Sequence, residues 1–172
     1  MTADATLDAL LARIRQDFDV DFEPLAVDDN TLHVLTIRNM PQYIDKLLQR
    51  KAVHNPLKDL PLWAKVWPGS FVLGRLLRKY APESKSLLEL GAGCGVLSLV
   101  AARYGFARMV VSDVVEDALR FARANALRNG LGERLEVTRV DVTAPGRDPR
   151  FAAGFDLMAA SELLYLESLH RP

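Results

Sequence analysis

The feature that most constrains the fold of this chain is a glycine-rich loop placed between a strand pattern and a helix pattern. The apolar run at residues 87–90 leads directly into Gly91, Gly93 and Gly95, and an apolar helical periodicity follows. Glycine lets a backbone turn tightly and approach a ligand closely because it has no Cβ. The N–H groups at the start of the following helix have no partner within that helix and can receive a ligand.

Short apolar runs and helical patterns alternate from residue 84 onwards. Strands are predicted at residues 87–90, 109–114, 135–140 and 155–160, with helices after the glycine loop and over residues 116–129. Strands alternating with helices of this length favour a mainly parallel sheet joined by right-handed crossovers. We therefore predict an α/β, Rossmann-like, doubly wound fold.

The first third of the chain has a different pattern. It predicts an amphipathic helix over residues 7–18 and a β-hairpin over residues 22–37, whose second strand spans residues 31–37. Asn39 is placed to cap a helix that has Pro41 in its early turn, and residues 49–61 are interpreted as a connector. We expect residues 1–61 to form a helix and hairpin extension, and residues 62–172 to form the Rossmann-like domain.

Composition narrows the possible functions. The formal net charge is zero, so no broad electrostatic surface for nucleic acid is expected. Cys94 is the single cysteine, which excludes an internal disulfide and suits a reducing compartment. No apolar run approaches the length of a membrane span, and the acidic N-terminus does not resemble a secretory signal. We expect a cytoplasmic protein without a membrane segment, and the three histidines show no metal-ligand spacing.

An acidic residue follows the second predicted strand at the spacing expected of a nucleotide site. Asp113 lies 20 residues beyond Gly93, and a carboxylate there can accept hydrogen bonds from both ribose hydroxyls. The dinucleotide pattern Gly-x-Gly-x-x-Gly fails because Val96 occupies its last position. The observed spacing is Gly-x-Gly-x-Gly, with Glu89 two residues before the first glycine.

This loop resembles motif I of the class I S-adenosylmethionine-dependent methyltransferases. The resemblance implies that S-adenosylmethionine is the cofactor, that Glu89 helps to position its amino-acid end, and that Asp113 binds its ribose. Asp141, after the third predicted strand, matches the family position that commonly meets the adenine. A tight turn without a ligand, and a solvated acid at residue 141, are the structural alternatives.

Two further segments resemble the seven-strand protein-lysine methyltransferases. Trp63 and Trp67 precede the first strand, and the run from Ser161 through Glu162 to Tyr165 follows the fourth. The resemblance implies that Ser161 and the tryptophans contact the cofactor and that Glu162 and Tyr165 serve the acceptor. These relatives most often carry aspartate where Glu162 stands. Core packing for the tryptophans and helix-terminal or half-buried positions for Glu162 and Tyr165 are the alternatives.

The leading hypothesis is therefore a methyltransferase acting on a protein, with lysine as the acceptor. A methyltransferase for a small molecule or another protein group is the second hypothesis, and a non-catalytic cofactor-binding module is the third. The resemblance also implies a sheet order of 3-2-1-4-5-7-6. After residue 160 too few residues remain for strands five to seven, so we expect residues 155–160 to form an exposed edge of an incomplete catalytic domain. The sequence does not indicate an oligomeric state.

Overall fold

The computed structural model describes residues 3–51, 53–81, 86–143 and 154–163. In chain order the elements are α1 (Ala3–Asp17), β1 (Val20–Val27), β2 (Asn30–Ile37), α2 (Met40–Gln49), α3 (Pro56–Asp59), α4 (Pro68–Leu76), β3 (Ser86–Leu90), α5 (Val96–Ala101), β4 (Arg108–Asp113), α6 (Glu116–Arg128), β5 (Leu135–Arg139) and β6 (Leu157–Ala160). Short 3₁₀ turns span Leu62–Ala64, Leu77–Tyr80 and Ala102–Tyr104.

Four strands form a parallel sheet in the order β5-β4-β3-β6. This is the predicted order 3-2-1-4, and the predicted Rossmann-like α/β fold is confirmed. The apolar runs explain the arrangement, because Leu87 and Leu88, which point to opposite faces of the central strand β3, are both fully buried. All four strands end at one edge of the sheet, which places the segments that follow them side by side.

The N-terminal residues form the predicted helix and hairpin. β1 and β2 pair antiparallel around a turn in which Asp28 has a φ of 50°. The hairpin begins two residues earlier than predicted, at Val20, which is itself buried in the core.

One hydrophobic core joins this extension to the parallel sheet. Ile14 of α1, Leu35 of β2 and Phe121 of α6 are completely buried in the same cluster as the strands. Phe18, Trp63 and Phe121 pack edge to face in a mutual triangle, with ring centroids 5.0 to 5.8 Å apart. The extension is thus built into the interior of the fold.

The predicted connector at residues 49–61 contains the short helix α3. Pro56 suits its first position, since proline lacks an N–H that would be unpaired there. The Asp59 carboxylate accepts hydrogen bonds from the backbone N–H groups of His54 and Asn55, each 2.7 Å away. These local bonds order a stretch whose composition predicts irregular structure.

β6 is one of the two edge strands of the sheet, and no described strand pairs with its far edge. Met158 in β6 is 66% exposed. Within the described ranges, every helix is too short or too polar to cross a bilayer. Those ranges also bring together no three His, Cys, Asp or Glu side chains able to hold a metal ion.

Candidate functional site

The glycine loop adopts a conformation that side chains rarely allow. Gly91, Gly93 and Gly95 all have positive φ, at 60°, 55° and 78°. A Cβ added at Gly93 would also lie 2.7 Å from the carbonyl oxygen of Trp63. The loop therefore requires glycine for its backbone angles and, at Gly93, for a close approach of two chain segments.

The backbone of this loop is held by hydrogen bonds from several elements. Ala92 donates its N–H to the carbonyl of Ser112 at the end of β4, at 2.9 Å. Cys94 donates its N–H to the carbonyl of Trp63, also at 2.9 Å, and its own carbonyl accepts from Asn125 Nδ2 at 2.8 Å. These bonds fix the loop between the segment before α4, the end of β4 and the C-terminal part of α6.

Asp113 is an acidic residue that is hydrogen-bonded directly to the loop. It is 8% exposed, and its Oδ2 accepts the Gly93 N–H at 2.8 Å while Oδ1 accepts the Val115 N–H at 2.9 Å. Each carboxylate oxygen can accept more than one hydrogen bond, so both retain acceptor capacity. Because Asp113 also lines a cavity, this capacity is available to the hydroxyl groups of a ligand.

The cavity lies at the carboxyl edge of the sheet and has a volume of about 460 Å³. That volume falls within the range of small-molecule sites, roughly 300 to 1,000 Å³. Its walls come from the glycine loop, from the residues after β4, β5 and β6, and from the segment before α4. The predicted site residues in its lining are Trp63, Trp67, Gly91, Gly93, Asp113, Asp141, Ser161 and Glu162.

The cavity wall carries charge of both signs. Asp113, Asp141 and Glu162 are its acids, and Lys65 is the one cation among the described lining residues. The Lys65 ammonium lies over the ring of Trp67, 4.3 Å from the ring centre. A zwitterionic ligand would therefore meet groups of both signs.

Glu89 lies outside this lining, although the family resemblance implies a position beside the amino-acid end of the cofactor. It is 1% exposed, and its Oε2 accepts the N–H of Ser98 in the first turn of α5 at 3.0 Å. Burial raises the pKa of Glu89 to about 8, overcoming the opposite effect of the hydrogen bond from Ser98. Glu89 therefore supports the start of α5 from beneath the loop.

Asp141 and Glu162 are both exposed on the cavity rim. Asp141 Oδ1 accepts hydrogen bonds from the N–H and the hydroxyl of Thr143, which lower the pKa of the carboxyl. Glu162 has a φ of 55°, and a Cβ built on Gly69 would lie 2.5 Å from its Oε1. Its carboxylate thus faces the first turn of α4, where negative charge is favourable. Tyr165 lies outside the described residues.

The two tryptophans have structural roles besides their place in the cavity wall. Trp63 packs its ring against the core aromatics, and its carbonyl anchors Cys94. Trp67 donates its indole N–H to the carbonyl of Leu62 at 2.9 Å. Core packing and cavity lining therefore coexist in Trp63.

Sequence reasoning assigned no role to three residues of this region. Lys65 stands between the two tryptophans and resembles an ordinary surface lysine. Leu163 approaches Gly91 closely, since a Cβ built there would lie 2.5 Å from Leu163 Cδ1. Asn125 supports the loop from α6, and its four-residue spacing from Asn129 is the one signal that could have indicated a shared partner.

Comparisons with known proteins agree with this geometry. A family model described as ribosomal protein L11 methyltransferase (PrmA) matches residues 73–160, just over half of the chain. The ribosomal protein L11 methyltransferase of Pelotomaculum thermopropionicum is 40% identical over 65 residues, which are 38% of this chain and 21% of the relative. The electron transfer flavoprotein beta subunit lysine methyltransferase of Mus musculus is 31% identical over 117 residues, which are 66% of this chain and 43% of the relative.

The matches thus span less than half the length of these curated relatives. Among solved structures, the S-adenosylmethionine-dependent methyltransferase of Agrobacterium tumefaciens superposes with a TM-score of 0.55 at 18% identity. That superposition covers 86% of this chain and 47% of the other chain. At this identity the likeness supports the fold alone.

Proposed function

The chain belongs to the ribosomal protein L11 methyltransferase (PrmA) family, and on that premise we propose that it binds S-adenosylmethionine in the cavity and methylates a protein, with a lysine amine as the acceptor. The observation that carries this proposal is the junction of Asp113 with the glycine loop. One carboxylate both fixes the Gly93 N–H and faces the cavity. A carboxylate beside a glycine-rich turn at the carboxyl edge of a parallel sheet is the arrangement that binds the ribose of a nucleotide in α/β folds.

The residues present fit this cofactor. Asp113 retains acceptor capacity for the two ribose hydroxyls. Val114, Val115 and Val140 provide apolar wall where the adenine would lie, and Asp141 stands at the rim of the same region. Lys65 carries the charge needed to face the carboxylate of the methionine portion. When bound, S-adenosylmethionine supplies a methyl group attached to a positively charged sulfur.

The acceptor end of the proposal rests on Glu162. Its exposed carboxylate lies on the rim, where it can attract a lysine ammonium and take up the proton that the amine must lose before attack. The deprotonated amine would then be the nucleophile that accepts the methyl group supplied by the bound cofactor, and S-adenosylhomocysteine would be the second product. The protein contributes mainly orientation and removal of water from the nucleophile. Tyr165 remains a proposed wall of the acceptor channel.

The names of two relatives support a protein substrate, since one acts on ribosomal protein L11 and the other on a lysine of an electron transfer flavoprotein subunit. The experiment is incubation of the full-length protein with radiolabelled S-adenosylmethionine and purified L11, the flavoprotein beta subunit or whole lysate. Label in protein, located on lysine by mass spectrometry, supports the proposal. Label only in small molecules, or binding without any transfer, would favour the other two hypotheses. In parallel, calorimetry should show binding of S-adenosylhomocysteine and no binding of NAD.

A further inference from the structure

Asn125, near the end of α6, joins two backbone segments that are distant in sequence. Its side chain is completely buried. Oδ1 accepts the N–H of Leu35 in β2 at 2.7 Å, and Nδ2 donates to the carbonyl of Cys94 in the glycine loop at 2.8 Å. One amide group therefore bridges the N-terminal hairpin and the proposed cofactor loop.

The chemistry of this bridge is specific to asparagine. The Leu35 N–H requires an acceptor and the Cys94 carbonyl requires a donor, and both groups are held out of water. Aspartate offers acceptors only, alanine offers neither, and glutamine is longer by one methylene. Any of these changes would leave a buried backbone group without its partner, which is costly.

Asn129 provides an internal comparison. It lies four residues further along α6, and it receives the His33 N–H and donates to the His33 carbonyl, each at 2.8 Å. Both asparagines thus dock the free edge of β2 on α6. Asn129 also donates to the carbonyl of Asn125, so within the described part of the chain its side chain bonds to β2 and α6 and not to the glycine loop. Of the two asparagines, only Asn125 connects the hairpin to the glycine loop.

The bridged peptide lies at the most constrained part of the loop. Cys94 stands between Gly93 and Gly95, which both have positive φ. Its carbonyl accepts the bond from Asn125, and its N–H donates a hydrogen bond to the Trp63 carbonyl. The neighbouring Gly93 N–H points to Asp113. A shift of the Cys94 carbonyl would therefore also displace the Gly93 N–H. That N–H orients Asp113, the residue proposed to bind the ribose.

We infer that Asn125 is a positioning residue that couples the docking of the N-terminal hairpin to the shape of the glycine loop, and through it to cofactor affinity. The identity of the ligand in this inference rests on the proposed function, whereas the coupling between the hairpin and the glycine loop does not. The helix and hairpin at residues 3–37 are then part of the cofactor-binding apparatus, although none of these residues lines the cavity.

The test compares Asn125→Ala with Asn129→Ala, using calorimetry with S-adenosylhomocysteine at a temperature at which circular dichroism shows both variants folded. Both variants should melt at a lower temperature. Loss of one buried hydrogen bond to the loop should raise the Kd of Asn125→Ala about tenfold, whereas Asn129→Ala should stay within about twofold of the parent chain. Equal affinity in the parent and Asn125→Ala, or equal losses in both variants, would overturn the inference.

Amide hydrogen exchange provides a second test that does not require ligand. The Cys94 amide should exchange faster in Asn125→Ala and keep its rate in Asn129→Ala. If the parent chain binds no S-adenosylhomocysteine while this difference persists, the proposed function is wrong and the coupling stands. If neither variant changes the exchange of Cys94, the coupling is refuted.

A third measurement covers the case in which Asn125→Ala does not fold. Coupling between two sites is reciprocal, so saturating S-adenosylhomocysteine should slow exchange of the Leu35 amide in the parent chain more than that of the His33 amide. Equal protection of the two amides would contradict the inference.

Discussion

Replacing Glu89 with glutamine tests how the fold accommodates a carboxyl group beneath the glycine loop. Burial raises its pKa from an ordinary 4.5 to about 8. Because the folded pKa lies above the unfolded one, the folded chain binds this proton more tightly. The contribution of Glu89 to stability is therefore complete below about pH 4.5 and is lost progressively as the pH rises towards 8.

The size of the effect follows from the interval between the two pKa values. Each pH unit changes the free energy of unfolding by about 1.4 kcal/mol while only the unfolded chain is ionised. Over the interval from 4.5 to about 8 the loss is of the order of 5 kcal/mol. Glutamine keeps an oxygen for the Ser98 N–H and cannot ionise, so Glu89→Gln should not show this loss.

The assay is urea unfolding of both chains at intervals between pH 4.5 and 9. The variant should gain stability relative to the parent steadily up to about pH 8, after which the difference should become constant. The two chains differ only at residue 89, so the difference between their stability curves reports the effect of the Glu89 carboxyl group. If the two stability curves run parallel over the whole range, Glu89 is ionised in the folded protein and the argument from burial is refuted.

Three further substitutions test the proposed site. Gly93→Ala should lower the melting temperature more than Gly130→Ala does. Both positions have positive φ, but only at Gly93 would the new Cβ lie 2.7 Å from the Trp63 carbonyl oxygen. Equal losses of stability would show that this close approach is unimportant. Asp113→Asn should weaken S-adenosylhomocysteine binding at least tenfold by calorimetry, because an amide nitrogen cannot accept a backbone N–H or a ribose hydroxyl, and unchanged affinity would remove Asp113 from the ribose site. Glu162→Gln should lower kcat on the protein substrate by roughly 10²-fold or more with cofactor affinity within about twofold; the reverse pattern would assign Glu162 to the cofactor.

The sheet could be predicted because its signals are local. An apolar run before the glycine loop, and similar runs ending near Asp113 and Asp141, indicate strands whose carboxyl ends meet at one edge. The glycine spacing predicted a tight turn, and in the structure all three glycines have positive φ. These features depend on residues that are near neighbours in the chain.

The surroundings of individual side chains could not be predicted in the same way. Successive residues of β3 are buried on both faces of the strand, so sequence alternation does not separate Glu89, which points beneath the loop, from a residue that faces the ligand. Trp63 suits a core or a cavity wall equally well and here contributes to both. The partners of Asn125 lie 90 and 31 residues away along the chain, beyond the reach of any local pattern.

The thiol at the centre of the glycine loop provides a built-in reporter. Cys94 is 2% exposed, and burial raises its pKa to about 12, so both access and ionisation oppose its reaction in the closed loop. Alkylating reagents act on the thiolate, and modification must therefore wait for the loop to open. Since Cys94 is the single cysteine of the chain, its rate of alkylation measures the frequency of that opening without any engineered label.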